Sequence, residues 1–364
     1  MRILHVYKDY HPILGGIENH VKALAEAQAA AGHEVTVLVT NPGREPTHET
    51  RHGVRIIRTW RLATVASTPL SPSFPLALRR QRPDITHLHF PYPVGEVSQW
   101  LTGRGRPYVI TYHSDVVKQK TLLRLYGPLM RRVLRRANRI LPTSDRYVAS
   151  SPFLQPLAGH CTVVPLSVDP ALFVNQPPLI PPAGVPTLLF VGRHRYYKGV
   201  STLLQAMPQL NARLLIGGDG PLRATWQAEA QQLDLGDKVQ FLGQVSDDDL
   251  PRLYASADIF VLPANARAEA FGKVLLEAMA TGLPCVTTEV GTGTSYVVQD
   301  EITGLVVPPL DPAGLAHALQ RLLDNPTWRQ QLGRSGRERV QNEFTPQKML
   351  TRVTTIYQDI LHTP

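Results

Sequence analysis

The sequence predicts an α/β fold with two doubly wound domains that face a cleft. Short apolar runs typical of buried strands alternate with helical segments in the first half, and a second alternation follows a proline-rich stretch. With 364 residues, of which 43% are apolar and 18% charged, the chain is long enough for two hydrophobic cores. Such sheets bind ligands beyond the carboxyl ends of their strands, so the cleft is the expected binding site.

Residues 1–175 form the first predicted domain. It opens with strand 2–7, helix 17–31 and strand 34–40, and the helix is rich in Ala, Leu and Glu and is followed by Gly32. The alternation continues with strands at 54–57, 85–88, 108–112, 139–142 and 162–165, and with a helix at 122–137. This order is typical of a parallel, Rossmann-like sheet.

A change in composition marks the predicted boundary between the domains. Residues 176–186 are crowded with Pro177, Pro178, Pro181, Pro182, Gly184 and Pro186, which predicts a linker. A second Rossmann-like domain is predicted at 187–345, with strands 187–191, 212–217, 239–242, 259–262, 285–288 and 304–307 and helices 201–207, 222–233, 250–255, 273–281 and beyond Pro312. A last helix, about 347–361 within segment 346–364, is expected to cross back to the first domain.

Composition excludes several classes of protein. No run of about 18 apolar residues occurs, which excludes a transmembrane span, and the charged start lacks the pattern of a signal peptide. Cys161 and Cys285 are predicted to be unpaired, buried thiols in a reducing cytoplasm, without a disulfide or metal role. A formal charge of +9 and a pI near 9.7 indicate an anionic partner.

Two glutamates flank the start of the predicted helix 273–281. Glu269 lies on the loop that enters the helix, and Glu277 lies about one turn inside it. Their carboxylates can bind sugar hydroxyls, while the free N–H groups at Gly272 and the following residues can face an anion. The alternative is an ordinary capped helix with two solvated glutamates.

Two loops after strands of the second domain carry further candidates. Arg193 and Lys198 follow strand 187–191 and are placed to clamp a diphosphate, although most basic loop residues are merely solvated. Gly218 and Asp219 follow strand 212–217, where glycines permit close approach of the backbone to a ligand. A tight turn before a helix is the alternative reading there.

The first domain offers a glycine pair and a histidine. Gly15 and Gly16 open the first helix, where backbone N–H groups can contact a phosphate, or where they can form an ordinary turn. His113 follows strand 108–112, a position from which it can orient a substrate hydroxyl or leaving group. Taken alone, it can equally be a structural histidine.

Six segments in order resemble the retaining, nucleotide-sugar-dependent glycosyltransferases of the GT-B fold called family 4. They are Gly15-Gly16, Tyr112-His113-Ser114-Asp115, Val164 to Asp169, Val191 to Gly199, Gly218 to Pro221, and Glu269 to Glu277. The resemblance covers essentially the whole chain and implies a GT-B architecture. Ser167 stands where the family often has glycine, and 290–296 lacks the usual Pro-Glu, so no role is assigned to that segment.

The resemblance implies a role for each matching position. Arg193 and Lys198 would hold the diphosphate and stabilise it as a leaving group, with help from the Gly16 backbone. Glu269, with the backbone around Phe271 and Gly272, would bind hydroxyls of the transferred sugar, and Glu277 would bind the ribose. His113 would contact the donor sugar near the acceptor. Residues 242–245, ending at Val245, would lie beside the base.

The implied reaction is transfer of a hexose of mannose or glucose type, with retention, in surface-polysaccharide biosynthesis. The co-substrate would be a GDP- or UDP-linked sugar, the acceptor a saccharide that can be lipid-linked, and no metal or other cofactor is expected. Two rivals remain open. A sugar-nucleotide epimerase of the same fold would return an epimer without an acceptor, and a catalytically silent GT-B subunit would only bind.

A basic amphipathic helix suggests where the protein acts. Its cations are Lys118, Lys120, Arg124, Arg131, Arg132, Arg135, Arg136 and Arg139, opposite Leu122, Leu123, Leu125, Tyr126, Leu129, Met130, Val133 and Leu134. This pattern suits an anionic membrane, so a cytoplasmic enzyme peripheral to the inner face of the plasma membrane is expected. The alternative is a helix packed on its sheet with a solvated basic face. A nucleic-acid partner is not expected, because interleaved aromatics are missing.

Overall fold

A computed structural model describes residues 1–13, 15–103, 105–116 and 120–362, without the side chains of 120–123. The chain divides into two units, Met1–Leu166 with Pro346–Pro364, and Ser167–Thr345. Each is an α/β unit around its own sheet, as the alternation predicts.

The first unit is built on a seven-stranded sheet. The strands of this sheet are β1 Arg2–Val6, β2 Glu34–Thr40, β3 Thr47–Arg51, β4 Val54–Thr59, β7 Ile85–Phe90, β8 Tyr108–Tyr112 and β9 Arg139–Pro142. Two further strands, β5 Ala63–Val65 and β6 Thr68–Leu70, form a separate hairpin. The sheet order is β3-β4-β2-β1-β7-β8-β9, and only β3 runs antiparallel to its neighbour. The chain therefore reverses its direction of winding between β1 and β7.

The described residues of the first unit form six α-helices. They are α1 Gly16–Ala30, α2 Phe74–Arg80, α3 Pro93–Thr102, α4 Lys120–Arg136, α5 Asp145–Ser150 and the last helix of the chain, α13 Pro346–His362. Met349, Val353 and Tyr357 of α13 are buried in one core cluster with Ile3 and Leu24. Burial of this apolar stripe holds α13 in the first unit.

The second unit has a six-stranded sheet that is parallel throughout. Its elements are β10 Thr187–Val191, α6 Val200–Ala206, β11 Arg213–Gly217, α7 Arg223–Gln232, β12 Val239–Gly243, α8 Leu250–Tyr254, β13 Ile259–Leu262, α9 Lys273–Thr281, β14 Cys285–Thr288, α10 Thr294–Val297, β15 Gly304–Val307, α11 Pro312–Asp324 and α12 Pro326–Glu343. The order β12-β11-β10-β13-β14-β15 places the reversal between β10 and β13. The loops after these two strands therefore share one edge of the sheet.

The proline-rich stretch behaves differently from a free linker. The first unit ends at Leu166, before the predicted limit at 175, and the following residues belong to the second unit. The Val168 N–H donates to the Phe344 carbonyl at 2.9 Å, and the N–H groups of Leu179 and Ile180 donate to Ser256 Oγ at 2.9 and 3.0 Å. Hydrogen bonds to residues just beyond the ends of α8 and α12 thus fix a segment that its composition suggests is loose.

Two smaller expectations are wrong. Residues 162–165 are not a regular strand, although the Thr162 and Val164 N–H groups donate to carbonyls of Ile140 and Pro142 at 2.9 Å. Both cysteines are free, but only Cys285 is buried, whereas Cys161 is half-buried after a short 3₁₀ helix.

Candidate active site

Lys198 and Glu269 form a buried ion pair where the second sheet reverses its winding. Lys198 ends a 3₁₀ turn after β10, and Glu269 lies on the loop after β13. The Lys198 Nζ lies 2.6 Å from Glu269 Oε2, and both side chains are only 10% exposed. Burial opposes the charge of the amine, but the nearby Glu269 carboxylate outweighs it and raises the pKa of Lys198. The amine therefore stays cationic around neutral pH.

A glycine allows these two loops to touch. Gly199, directly after Lys198, has a left-handed backbone with φ of 69°. A Cβ there would lie 1.8 Å from the carbonyl oxygen of Pro263 on the loop after β13. No larger residue fits without separating the two loops, so the turn that carries Lys198 depends on glycine at this position.

Glu277 lies inside helix α9 as predicted and is held by two neighbours. Its Oε2 accepts a 2.8 Å hydrogen bond from the Tyr254 hydroxyl, and its Oε1 lies 3.3 Å from Lys273 Nζ. Burial, followed by the charge of Glu277, raises the pKa of Tyr254 far above its usual range. The charge of Glu277 also contributes to the raised pKa of Lys198. Tyr254 was not predicted, because a buried tyrosine on a short helix has no distinguishing spacing in the sequence.

The start of α9 has the form expected of an anion site. Gly272 precedes the helix in a left-handed conformation with φ of 80°, and Phe271 before it is buried. The first N–H groups of α9 lack carbonyl partners within the helix and carry the positive end of its dipole. At the other end, Gly282 has φ of 93°, which confirms the predicted stop.

Residues 290–296, to which no role was assigned from the sequence, support the loop that carries Glu269. Thr292 Oγ1 donates to the Glu269 carbonyl at 2.6 Å, and the Gly293 N–H donates to the Ala270 carbonyl at 2.9 Å. A Cβ on Gly293 would lie 2.6 Å from the Phe271 ring. Thr292 and Gly293 therefore position the backbone around Glu269. In the sequence, the Gly-Thr-Gly spacing is the one signal that could have indicated this close packing of two loops.

Two other predicted residues of the second unit, Arg193 and Asp219, are more exposed than the Lys198–Glu269 pair. Arg193 is exposed on the same loop as Lys198. The Asp219 carboxylate is engaged in its own turn, where it accepts from the Gly220 N–H at 2.6 Å and from Arg223 at 3.2 Å. The hydrogen bond from Gly220 is the largest cause that lowers the pKa of Asp219.

The backbone joins the loops that carry Gly218 and Val245 to this edge of the sheet. The Gly218 N–H donates to the Gly243 carbonyl at 2.7 Å, and the His194 N–H donates to the Asp219 carbonyl at 2.9 Å. Val245 follows β12, the edge strand, and is half-buried. The loops after β10, β11 and β12 are thus held together in one rim.

In the first unit, the glycine pair meets an acidic neighbour. Gly15 precedes α1 and Gly16 begins it, as predicted. A Cβ on Gly15 would lie 2.2 Å from the Glu18 carboxyl, whereas Gly16 has open space around it. Burial raises the pKa of Glu18. The open space is therefore at Gly16, and Glu18 occupies the position beside Gly15.

His113 is buried directly after β8. Its backbone N–H donates to the Phe90 carbonyl at 3.1 Å, and its ring Nε2 lies 3.2 Å from Nδ1 of His89. Burial, with a smaller effect from His20, holds the pKa of His113 well below its usual range. His113 is thus a neutral ring joined to further buried histidines, which single-residue reasoning could not foresee.

The two halves of the chain match two protein-family models. Residues 14–172 match "Glycosyltransferase Family 4", and residues 175–339 match "Glycosyl transferases group 1". O-antigen chain mannosyltransferase C of Escherichia coli is 35% identical, over 99% of this chain and 99% of its own length. D-rhamnosyltransferase WbpZ of Pseudomonas aeruginosa is 36% identical, over 95% of this chain and 92% of its own length.

Solved structures agree with the fold. A sucrose-phosphate synthase from Thermosynechococcus elongatus superimposes with a TM-score of 0.83 at 27% identity, over the whole of both chains. The Anabaena protein HepE, in complex with UDP, gives a TM-score of 0.79 at 18% identity over 99% of this chain and all of its own. The lipopolysaccharide glycosyltransferase WaaG gives 0.66 at 19% identity over the whole of both chains. These likenesses confirm the GT-B fold class.

Proposed function

This chain belongs to the family 4 glycosyltransferases with a group 1 domain, and from that premise we propose the reaction it catalyses. It is a retaining hexosyltransferase that moves a mannose-type sugar from a nucleotide diphosphate donor to a saccharide acceptor in surface-polysaccharide biosynthesis. The two relatives named above, a mannosyltransferase and a D-rhamnosyltransferase, support this substrate class. D-Rhamnose is 6-deoxymannose, so both names point to one ring configuration.

The Lys198–Glu269 pair is the observation that carries the proposal. When the sugar–phosphate bond breaks, negative charge grows on the leaving oxygen, and a fixed cation stabilises this transition state more than the ground state. The Lys198 ammonium has three N–H donors, and its short contact with Glu269 uses one of them. The other donors can bind diphosphate oxygens, with Arg193 on the same loop as a second cation.

The two glutamates suit hydroxyl groups. The Glu277 carboxylate accepts from Tyr254 and still has lone pairs for the two neighbouring ribose hydroxyls. Glu269 can accept from hydroxyls of the transferred sugar beside the backbone of Phe271 and Gly272. We assign the base to the loop that ends at Val245, and we leave GDP and UDP as the donor nucleotides to be distinguished by experiment.

We further propose that Arg193 and Lys198, rather than a metal ion, neutralise the diphosphate. Transfer should then proceed at an unchanged rate in the presence of excess EDTA. Loss of activity with EDTA and its recovery with Mg²⁺ or Mn²⁺ would contradict this assignment and leave the family membership untouched.

We also propose that the first unit docks on an anionic membrane through α4. Met130, Val133 and Leu134 of this helix are buried, while Leu125 is 83% exposed among exposed arginines: Arg124, Arg131, Arg132, Arg135 and Arg136. Helix α3 packs against both α4 and α2. Leu76 is exposed on α2, and Trp100 and Leu101 are exposed on α3. Apolar side chains among cations suit the interface of an anionic leaflet.

Part of the basic helix predicted from the sequence lies outside the residues and side chains that the structure describes. Lys118 is outside the described residues, and the side chains of Lys120, Leu122 and Leu123 are not described. Every helix in the described ranges is too short or too polar to cross a bilayer. We propose that the protein acts at the surface of the cytoplasmic leaflet, where a lipid-linked acceptor would be reached.

The first test measures thermal unfolding with saturating GDP, UDP or ADP. A nucleotide at about 100 times its dissociation constant stabilises the fold by roughly 2.7 kcal/mol, which corresponds to a shift of several degrees. The Glu277→Gln variant should lose most of this shift, while Glu338→Gln, an exposed glutamate on α12, should keep it. No shift with any nucleotide would favour the silent subunit.

The second test identifies the products. The nucleotide that binds is supplied as its mannose and glucose derivatives, with and without oligosaccharide acceptors, and the product is analysed by mass spectrometry and NMR. Retention predicts an α-linked product from an α-linked donor. Release of an epimer without an acceptor would overturn transfer in favour of the epimerase.

The third test addresses the membrane. Vesicles that contain an anionic lipid should retain the protein at low salt, and vesicles of phosphatidylcholine alone should not. Each cation near the surface contributes about 1 kcal/mol, so Arg132→Glu with Arg135→Glu should abolish retention. Arg334→Glu with Lys238→Glu, at exposed sites of the second unit, is the charge-matched control. Equal loss in both variants would indicate a net-charge effect without a docking face.

A further inference from the structure

Four buried side chains of the first unit form a hydrogen-bonded row that ends at His113. Gln28 Oε1 lies 2.7 Å from His5 Nε2, His5 Nδ1 lies 3.0 Å from His89 Nε2, and His89 Nδ1 lies 3.2 Å from His113 Nε2. All four are at most 5% exposed. We call Gln28, His5, His89 and His113 the imidazole chain.

The topology of the sheet produces this row. His5 lies on β1, His89 on the adjacent β7, and His113 follows β8 on the other side of β7. His5 is in register with His87, and His89 lies two residues further along the same face of β7. Gln28 reaches His5 from α1, which covers this face. Three neighbouring strands and one helix are therefore needed to build the chain.

Burial keeps the rings of the chain neutral. It lowers the pKa of His5 to about 4 and holds the pKa values of His89 and His113 well below their usual range. A neutral imidazole has one N–H donor and one acceptor nitrogen. Each ring in the row must therefore donate in one direction and accept in the other.

The Gln28 amide decides which direction this is. Its oxygen can only accept, so the His5 Nε2 must carry the hydrogen and the His5 Nδ1 must accept from His89 Nε2. His89 Nδ1 then accepts from His113 Nε2. Nδ1 of His113 is left with the lone pair. If the amide nitrogen faced His5 instead, every ring would have the opposite tautomer.

A second hydrogen-bonded row, through His87, lies beside the imidazole chain. His87 Nδ1 lies 2.5 Å from the Tyr357 hydroxyl, and His87 Nε2 lies 2.6 Å from Thr111 Oγ1. The Gln28 amide also affects Tyr357: burial raises the pKa of this hydroxyl, and Gln28 partly offsets the rise.

We propose that Gln28 is a positioning residue which, through His5 and His89, selects the tautomer of His113 that presents Nδ1 as a hydrogen-bond acceptor. This inference rests on the proposed function and on the role that the family resemblance implies for His113, contact with the donor sugar. An acceptor at Nδ1 binds a sugar hydroxyl through the hydroxyl hydrogen and leaves the hydroxyl oxygen free for other donors. The opposite tautomer would offer that hydroxyl an N–H instead.

A metal ion is the competing explanation for clustered histidines. Two groups, His5 with His87 and His89, and His20 with His89 and His113, bring ligand nitrogens within 4.8 Å of one another. However, the rings of His87 and His113 lie within 18° and 21° of the plane of His89. The ring centroids of His89 and His113 are 5.5 Å apart and those of His5 and His89 are 5.3 Å apart, so these rings meet edge to edge, with one nitrogen facing the next. The 3.0 and 3.2 Å contacts fit shared protons better.

The test is NMR of the free protein with ¹⁵N-labelled histidine, which reports which ring nitrogen carries hydrogen. His5, His89 and His113 should each be protonated at Nε2 alone, with signals assigned by removing one histidine at a time. A wild-type His113 protonated at Nδ1 would overturn the proposal. So would stoichiometric metal in the purified protein together with a spectrum that changes after chelation.

Two variants interrupt the chain at different links. Gln28→Met removes the acceptor at the end, and His5→Phe keeps a ring but removes both nitrogens. In either variant His113 should no longer be a single Nε2–H tautomer, so one folded variant is sufficient. Thr111→Val is the matched control, because it removes a hydroxyl that bonds only the second row. A His113 tautomer that survives both chain variants, or that changes equally in Thr111→Val, would overturn the proposal.

Kinetics supply an independent readout once a donor is known. Gln28→Met should lower kcat roughly five- to tenfold, the net value of about one buried hydrogen bond, while KM for the donor stays unchanged. The nucleotide-induced thermal shift should also be unchanged. Because the tautomers are measured without any substrate, failure of the proposed transfer and failure of the role of Gln28 remain separate outcomes.

Discussion

The two sheets place different chemistry at the point where their winding reverses. In the second unit this point carries full charges, with Lys198 and Glu269 paired at 2.6 Å. In the first unit, β1 and β7 carry His5, His87 and His89, whose pKa values burial lowers. Burial penalises charge in both places. The difference shows that a buried charge survives only beside its counter-charge, whereas a buried imidazole can give its charge up.

The largest expected effect tests the neutral side of this comparison. The folded-state pKa of each buried histidine lies below its unfolded value of 6.5, so its stabilisation is complete above pH 6.5 and is lost as the pH falls. For His5 the loss extends to about pH 4, at up to about 1.4 kcal/mol per pH unit. Hydrogen exchange at pH 7 and pH 5 should show protection falling in β1, β7 and β8 by several kcal/mol, and much less in β10 and β13.

One carboxyl of the first unit acts in the opposite direction. Burial raises the pKa of Glu96 to about 8, and its carboxyl accepts from the Tyr92 N–H at 2.7 Å and from the Tyr126 hydroxyl. Its contribution is complete below pH 4.5 and is lost as the pH rises through 8. Protonation of Glu96 as the pH falls thus offsets part of the stability lost through the histidines. Glu96→Gln removes this offset, so the stability of the first unit should fall more steeply between pH 7 and pH 5. Equal acid sensitivity of both units would refute the comparison.

The next effect tests the charged side. Glu269→Gln leaves the Lys198 ammonium buried without its counter-charge, which should cost about 3 kcal/mol of unfolding free energy in the second unit. Denaturant unfolding with hydrogen exchange localises the loss, and Glu338→Gln should be neutral. Replacing both partners, as Lys198→Met with Glu269→Met, should recover part of the stability. No recovery would mean that Glu269 stabilises the loop by some means other than its charge.

Lys198→Gln should lower turnover as well as stability, since it also leaves the buried Glu269 carboxylate without its counter-charge. Loss of one preorganised donor at a developing charge lowers kcat roughly 100- to 1,000-fold, because the charge appears only in the transition state. Lys238→Gln is the matched control, since this exposed lysine precedes β12 at the amino edge of the same sheet. Steady-state kinetics with the identified donor provide the measurement. A loss below tenfold would exclude Lys198 from leaving-group stabilisation.

The smallest effect concerns support for the charged site. Thr292→Val removes the hydroxyl that donates to the Glu269 carbonyl, and about 1 kcal/mol should appear as a roughly fivefold higher KM for the donor. Thr287→Val removes a similar buried bond, to the Leu262 carbonyl on β13, and should lower stability without changing KM. If both variants changed KM alike, the role assigned to Thr292 would be a general packing effect.

Buried parallel strands were the most predictable part of the fold. Strands 34–40, 108–112, 187–191 and 259–262 have the predicted bounds, because a strand covered on both faces is a continuous apolar run. The antiparallel edge strand β3, Thr47–Arg51, was missed because all its residues are polar and exposed. Helices α2 and α3 were missed too, since both are short and begin around a proline.

The sequence by itself determined the two α/β units, the loops that carry the candidate residues, and the family, because these depend on local pattern and on motifs in order. Only the tertiary structure decided which of these residues are paired. Lys198 meets Glu269, Thr292 supports the same loop, and Gln28 reaches His113 through two rings, although the partners are far apart in the chain. The physical reason is that hydrogen bonding and charge compensation act over a few ångströms in space, and parallel strand order decides which distant loops meet at one edge of a sheet.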